Sequence, residues 1–175
     1  MSVDTQAVEN LFPKAIAGLF DAIWNVGIDD GSLTTPRRLA YFLAQTAHET
    51  GGLQWLRELG GPSYFARYDW RRDLGNNRPG DGYRFRGGGL LMLTGRHNFA
   101  KAEQALGVPL ISKPDLIETP EVAVRTATWF WTTHRCNDCA DAGDFTRLTR
   151  VINGGLNGMQ DRLAWLQRIE DAIGE

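Results

Sequence analysis

Two cysteines in 175 residues are too few for a disulfide framework, so this chain is not a small stapled scaffold. No apolar run approaches the roughly 20 residues of a membrane span, so stable membrane insertion is not expected. Met1-Ser2-Val3-Asp4-Thr5 lacks both the basic and the apolar region of a secretory leader. The expectation is a protein without a signal peptide, made in a cytoplasm. Charge of one sign is also missing: the net charge is −2, and no recognised nucleic-acid motif appears, so nucleic acid is not an expected partner. Nor does any stretch alternate apolar and polar residues as a half-buried strand requires.

Helical spacing fills the chain instead, and the expected fold class is mostly α. Hydrophobic residues make up 42% of the sequence, enough for one core without staples. Apolar residues recur at helical intervals over 5–26, with Pro13 separating two helices. Asp29-Asp30-Gly31 reads as a turn. Thr35 before Pro36 reads as an N-cap, and Leu39, Phe42, Leu43, Thr46 and Ala47 form one apolar stripe that should end near Gly51-Gly52. Further helices are predicted over 95–106, 120–134, 144–153 and 160–173, with Thr119 and Asp144 as caps. Consecutive Trp129, Phe130 and Trp131 imply a helix buried on more than one side. Between these lies an irregular, glycine- and arginine-rich excursion at about 59–89, with one short helix near 64–74. A single catalytic domain spanning 1–175 is expected.

Charge is unevenly spread. Residues 57–101 carry nine Lys and Arg against four acids, a surplus of five positive charges that leaves seven negative ones elsewhere. Such a basic centre suits an anionic polymer; if so, Arg71→Glu with Arg72→Glu should weaken binding to it. Cys136-Asn137-Asp138-Cys139, with His134 nearby, lacks the second ligand pair of a structural zinc site. The two cysteines read as small packing residues around a helix start, and no metal or other cofactor is expected.

Chemistry concentrates in Gln45-Thr-Ala-His-Glu-Thr-Gly-Gly52. Glu49 falls where a packed helix runs out, and the glycine pair lets the chain turn sharply. A carboxyl group held partly out of water resists ionising and can serve as a general acid. Glu58 follows nine residues later. On an unbroken helix the two would lie about 13.5 Å apart along the axis and half a turn around it. A chain reversal at the glycines would bring them to one cleft, as glycoside hydrolysis by paired carboxylates requires.

Three segments in order carry a resemblance: His48-Glu49-Thr50-Gly51-Gly52, then Phe85-Arg-Gly-Gly-Gly-Leu-Leu-Met-Leu-Thr-Gly-Arg-His-Asn-Phe99, then Val151-Ile152-Asn153-Gly154-Gly155. From about residue 36 to the end the chain resembles glycoside hydrolase family 19, and within it the chitinase-like endolysins of bacteriophages. The resemblance implies a lysozyme-like, two-lobed helical domain with a substrate cleft, and single-displacement hydrolysis with inversion. It makes Glu49 the general acid and Glu58 the general base, with Asp69, Asp73 or Asp81 as alternative bases. It assigns Thr94 to hold the attacking water and Asn98, Asn153 and His48 to contact sugar. Arg162 would pair with the catalytic carboxylates. Gly88 and Met92 depart from the family pattern, which carries Arg and Gln there.

The function implied is an endolysin that cuts the β-1,4 glycan backbone of peptidoglycan. It would act as a monomer, held in the host cytoplasm until a separate holin releases it. The alternatives are a chitinase on N-acetylglucosamine polymers and a catalytically decayed wall-binding protein.

Overall fold

The computed structural model describes residues 3–28 and 31–174. The turn expected at Asp29-Asp30-Gly31 therefore lies largely outside the described residues. Helices dominate, and among the described residues the only β pairing is the isolated bridges Arg57–Gly88 and Gly88–Leu93. In chain order the α-helices are α1 (Thr5–Asn10), α2 (Leu19–Ala22), α3 (Pro36–Glu49), α4 (Pro62–Phe65), α5 (Asp81–Arg84) and α6 (Arg96–Leu106). They continue with α7 (Pro120–Thr133), α8 (Cys136–Asp141), α9 (Phe145–Asn153) and α10 (Met159–Ile173). Among the described residues no helix is long and apolar enough to cross a membrane.

The long helices fall where periodicity put them. Thr35 caps α3 by accepting from the Arg38 amide at 3.2 Å, and Asp144 caps α9 through the Arg147 amide at 2.8 Å. Thr119 occupies the cap position of α7, but its hydroxyl donates back to the Leu116 carbonyl and caps nothing. The N-terminal pair is shorter than the spacing suggested: α1 stops before Pro13, and α2 runs on as a π-helical turn over Ile23–Gly27.

α3 is not striped, as expected, but enclosed. Every residue from Leu39 to Ala47 is buried. α10 packs along it, α8 touches it, and Trp131 of α7 meets Phe42 edge-on at 5.3 Å. A helix surrounded by protein has no solvent face to keep polar, so Gln45 and Thr46 are buried inside it with hydrogen-bonded partners.

Two apolar clusters divide the chain. The main one gathers α1, α2, α3, α7, α8, α9 and α10. The second is smaller and holds Phe85, Phe99, Ala102, Val108, Leu110, Ile117 and Val122. α7 serves both: Ala127 and Trp131 face the first, Val122 and Trp129 the second. This is the physical content of the Trp129-Phe130-Trp131 run.

The excursion at 59–89 contains no single helix over 64–74. α4 gives way to a 3₁₀ turn at Ala66–Tyr68, the chain breaks at Asp69–Arg71, and a second 3₁₀ turn follows at Arg72–Leu74. Asp69 explains the break. Both its carboxylate oxygens accept backbone amides, from Gly80 and Gly82 at 2.8 Å each, which folds the loop onto itself.

Candidate active site

Glu49 is the last residue of α3, and the chain reverses immediately after it. Gly51 and Gly52 both adopt left-handed backbone angles, φ +61° and +81°, and Leu53 follows at +64°. The Thr50 hydroxyl donates to the Thr46 carbonyl at 2.6 Å and accepts from the Leu53 amide at 2.9 Å, locking the reversal. The returning segment then pairs with the glycine run. The Glu58 amide donates to the Gly87 carbonyl at 2.8 Å, and the Gly89 amide to Leu56 at 3.0 Å. On the far side of this run, Gly88 and Leu93 exchange bonds of 3.1 and 2.8 Å.

This layering needs small residues. A Cβ on Gly88 would stand 2.7 Å from Ile117 Cγ2 and 3.1 Å from an Arg57 guanidinium nitrogen. The arginine that the family pattern carries at this position has no space here, because Ile117 and Arg57 fill it.

The reversal brings Glu49 and Glu58 to the same open cleft, of about 520 Å³, with Trp55, Leu59 and Met92 also on its walls. Their anchoring differs. Arg162, fully buried on α10, holds Oε1 of Glu49 through Nη2, while its Nη1 donates to Gln45 Oε1 at 2.5 Å and its Nε to the Asn157 carbonyl at 3.1 Å. Gln45 in turn donates to Thr149 at 2.8 Å, tying α3, α9 and α10 into one network. A buried guanidinium is tolerated only when its donors are satisfied, and here they are. Glu49 Oε2 has no hydrogen-bond partner among the described residues and is free for a substrate. Glu58 instead accepts the Gly87 amide on Oε2 at 3.1 Å.

The remaining predicted residues divide between places. Thr94 and Asn98 line an adjoining cavity of about 220 Å³, separated from the carboxylates by Met92, which borders both. The Thr94 hydroxyl donates to the Met92 carbonyl at 2.8 Å and caps no helix. Asn98 donates to the Thr94 carbonyl at 2.8 Å. Asn153 ends α9 in helical geometry, and Gly154 takes the left-handed position after it. Its Oδ1 is buried without a partner, an acceptor whose isolation costs about 1–3 kcal/mol. His48 binds Asp161 at 2.7 Å and packs against Gly158, joining the end of α3 to the start of α10; it does not line the cleft. Nor do Asp69, Asp73 or Asp81, each already engaged elsewhere.

Trp55 is the cleft residue that spacing did not single out. It is half exposed, with its ring against Gly51. An exposed tryptophan next to paired carboxylates was the available signal. Cys136 opens α8 and Cys139 lies one turn on; both are free and buried, and burial pushes the Cys136 thiol up to about 12. Among the described residues, no three His, Cys, Asp or Glu side chains gather as a metal site would need.

A mostly helical fold that sets two carboxylates across an open cleft defines a class, the glycan-cleaving hydrolases of lysozyme-like architecture. Comparison with known proteins narrows it. The profile of the Chitinase class I family matches residues 15–146. A glycosyl hydrolase family 19 domain-containing protein of Haemophilus influenzae is 29% identical over 93% of this chain and 92% of its own length. Endochitinase 1 of Theobroma cacao is 33% identical over 91% of this chain, which spans 57% of that enzyme. Chitinase C from Streptomyces griseus superposes with a TM-score of 0.78 at 26% identity, covering 98% of this chain and 76% of the other. The chain belongs to glycoside hydrolase family 19 and is a chitinase-like glycosidase.

Proposed function

We propose that this protein is an endolysin that hydrolyses the β-1,4 glycan backbone of bacterial peptidoglycan. The observation that carries the reading is an open cleft lined by Glu49 and Glu58 that adjoins, at Arg57, a cavity whose Arg78, Arg84, Arg86 and Lys113 pair with no carboxylate among the described residues. A neutral amino-sugar polymer makes no use of that charge, whereas a glycan with acidic branches does. Met92 places an apolar surface where sugar hydroxyls would find no partner, but where the lactyl group of muramic acid packs well.

In this mechanism Glu49, steered by Arg162, delivers a proton from Oε2 to the glycosidic oxygen as the bond to the anomeric carbon breaks. Glu58 removes a proton from the water that attacks that carbon from the opposite face. Thr94 acts on this water through Met92, whose carbonyl accepts the Thr94 hydroxyl's hydrogen bond at the boundary between the two cavities. Asn98, its Nδ2 committed to the Thr94 carbonyl, offers its amide oxygen to a sugar group in the adjoining cavity, while Asn153, with Oδ1 buried, lines neither cavity. His48 acts on the sugar site by fixing the end of α3. No cofactor takes part. The protein works as a monomer from the host cytoplasm, reaching the wall when a separate holin opens the membrane.

A chitinase on N-acetylglucosamine polymers is the second reading, favoured by the names of the plant relatives. Mass spectrometry of peptidoglycan digested by the wild type and by Glu49→Gln tests both. New reducing muramic acid ends, absent with the variant, are expected. Faster cleavage of soluble chitin oligomers than of walls would establish the chitinase instead. Wall binding without any new ends would sink both readings in favour of a binding protein.

A further inference from the structure

Behind the cleft, positive charge gathers in one place. A second open cavity, of about 990 Å³, is lined by Arg57, Arg78, Arg84, Arg86, Arg96 and Lys113, with only Asp81 and Asp115 as acids. Asp81 is consumed by Arg96, whose Nε and Nη2 reach its two oxygens at 2.8 and 2.5 Å. Asp115 lies 3.5 Å from Arg57 on the exposed rim. Among the described residues, Arg78, Arg84, Arg86 and Lys113 pair with no carboxylate. Three of these are held by neutral groups, Arg78 by Asn77 Oδ1 at 3.4 Å. Arg84 donates to the carbonyls of Ile111 and Ser112 at 2.9 and 3.1 Å, and Arg86 to the Tyr83 carbonyl at 2.8 Å. Such bonds orient a guanidinium without cancelling its charge.

Arg57 sharpens the case. Only 7% of its side chain is exposed, and its Nε is buried without a hydrogen-bond partner. Burial, and then the like charge of Arg86, lower its pKa, although Glu118 and Asp115 stand 3.6 and 3.5 Å from its guanidinium. Arg57 also borders the catalytic cleft, and Arg86 Nε donates to the Glu58 carbonyl at 3.3 Å. The cavity and the cleft therefore share a wall at Arg57, a residue that lines both.

We propose that this cavity is a subsite for carboxylates borne on branches of the glycan, the free carboxyl groups of the peptidoglycan peptide stems. The inference rests on the peptidoglycan reading above and names how the acidic branch is recognised. Planar guanidinium forks suit carboxylates, and a stem leaving a sugar beside Glu58 has only the shared wall to cross. Arg71, which the sequence put forward for this role, is neutralised by Asp73, and neither it nor Arg72 lines the cavity.

The test is an NMR titration of the ¹⁵N-labelled protein with purified stem tripeptide, then with inorganic phosphate. Saturable shifts at the amides of Gly80, Ser112 and Lys113 are expected, fading with added salt. Arg78→Ser with Lys113→Ser, both exposed positions, should weaken peptide binding about tenfold, the scale of two partly exposed charge pairs. No saturable shift at those amides, or equal affinity in the double variant, would overturn the subsite. Tighter binding of phosphate than of peptide would overturn its assignment to carboxylates. Cleavage of stem-free glycan strands, assayed in parallel, separates the two claims. Cleavage without peptide binding removes the subsite alone; peptide binding without cleavage of any glycan removes the hydrolase reading and leaves the subsite standing.

Discussion

Glu49 rides on the end of a 14-residue helix enclosed by the main core and is held by a buried side chain from the last helix. Glu58 rides on an extended segment and is held by the backbone of a glycine run. One half of the candidate site is thus built from side-chain packing, the other from main-chain bonds. The comparison extends to whole regions. The main cluster is closed by long helices meeting face to face, whereas the smaller cluster is wrapped by short turns whose arginines bond to carbonyls. Side-chain anchoring concentrates the energy in a few residues; backbone anchoring spreads it and demands small residues at close approaches.

That contrast can be broken at defined points. The largest effect is expected on turnover, where Glu49→Gln and Glu58→Gln should each slow glycan cleavage by about 10³-fold, read from the release of reducing ends. Their thermal melts should separate them, because Glu49→Gln leaves a buried guanidinium without its charge partner and Glu58→Gln does not. Equal melts would mean the two anchors do not differ. Arg162→Met comes next, with a loss of about 3 kcal/mol in denaturant unfolding, since Gln45 and Glu49 then lose their shared donor inside the core. Gly88→Ala should cost about 2 kcal/mol by overpacking against Ile117, with little change in the main cluster. An unaltered melting temperature would show that the glycine run yields more readily than its contacts imply.

The smallest effect concerns acid. Burial opposes ionisation of Asp81, but the bonds from Arg96 and the Asn77 amide outweigh it and hold the carboxyl below its ordinary value. A depressed folded-state value stabilises fully above the unfolded value of about 3.9 and is lost as pH falls through the folded one. Protection of the Asn77 and Arg96 amides, taken relative to their intrinsic exchange rates, should therefore fall at low pH before protection in α3 does. Simultaneous loss in both would argue against independent anchoring.

The same contrast explains what the sequence disclosed. Apolar spacing located α3, α6, α7, α9 and α10 to within a residue or two, because long helices bury a periodic face. It misjudged α3 as one-sided, since enclosure by α8 and α10 is a property of the neighbours. Across 59–89 it yielded only one short helix near 64–74, which the structure splits, for Asp69, Arg84 and Arg86 organise that stretch through backbone amides and carbonyls, which carry no residue code. The glutamate pair was legible because two glycines follow Glu49 directly. Trp55 and the Arg57–Lys113 basin were not, since residues far apart in the chain build one and exposure alone distinguishes the other.

The bond from Arg162 to Glu49 joins the final helix to a residue made more than a hundred positions earlier. During synthesis, Glu49 stays without this anchor until α10 has been made and has docked along α3. A product cut short before α10 would carry both glutamates and lack the guanidinium that orients Glu49. The geometry therefore acts as an assembly check: the anchor of Glu49 exists only once α10 has folded against α3.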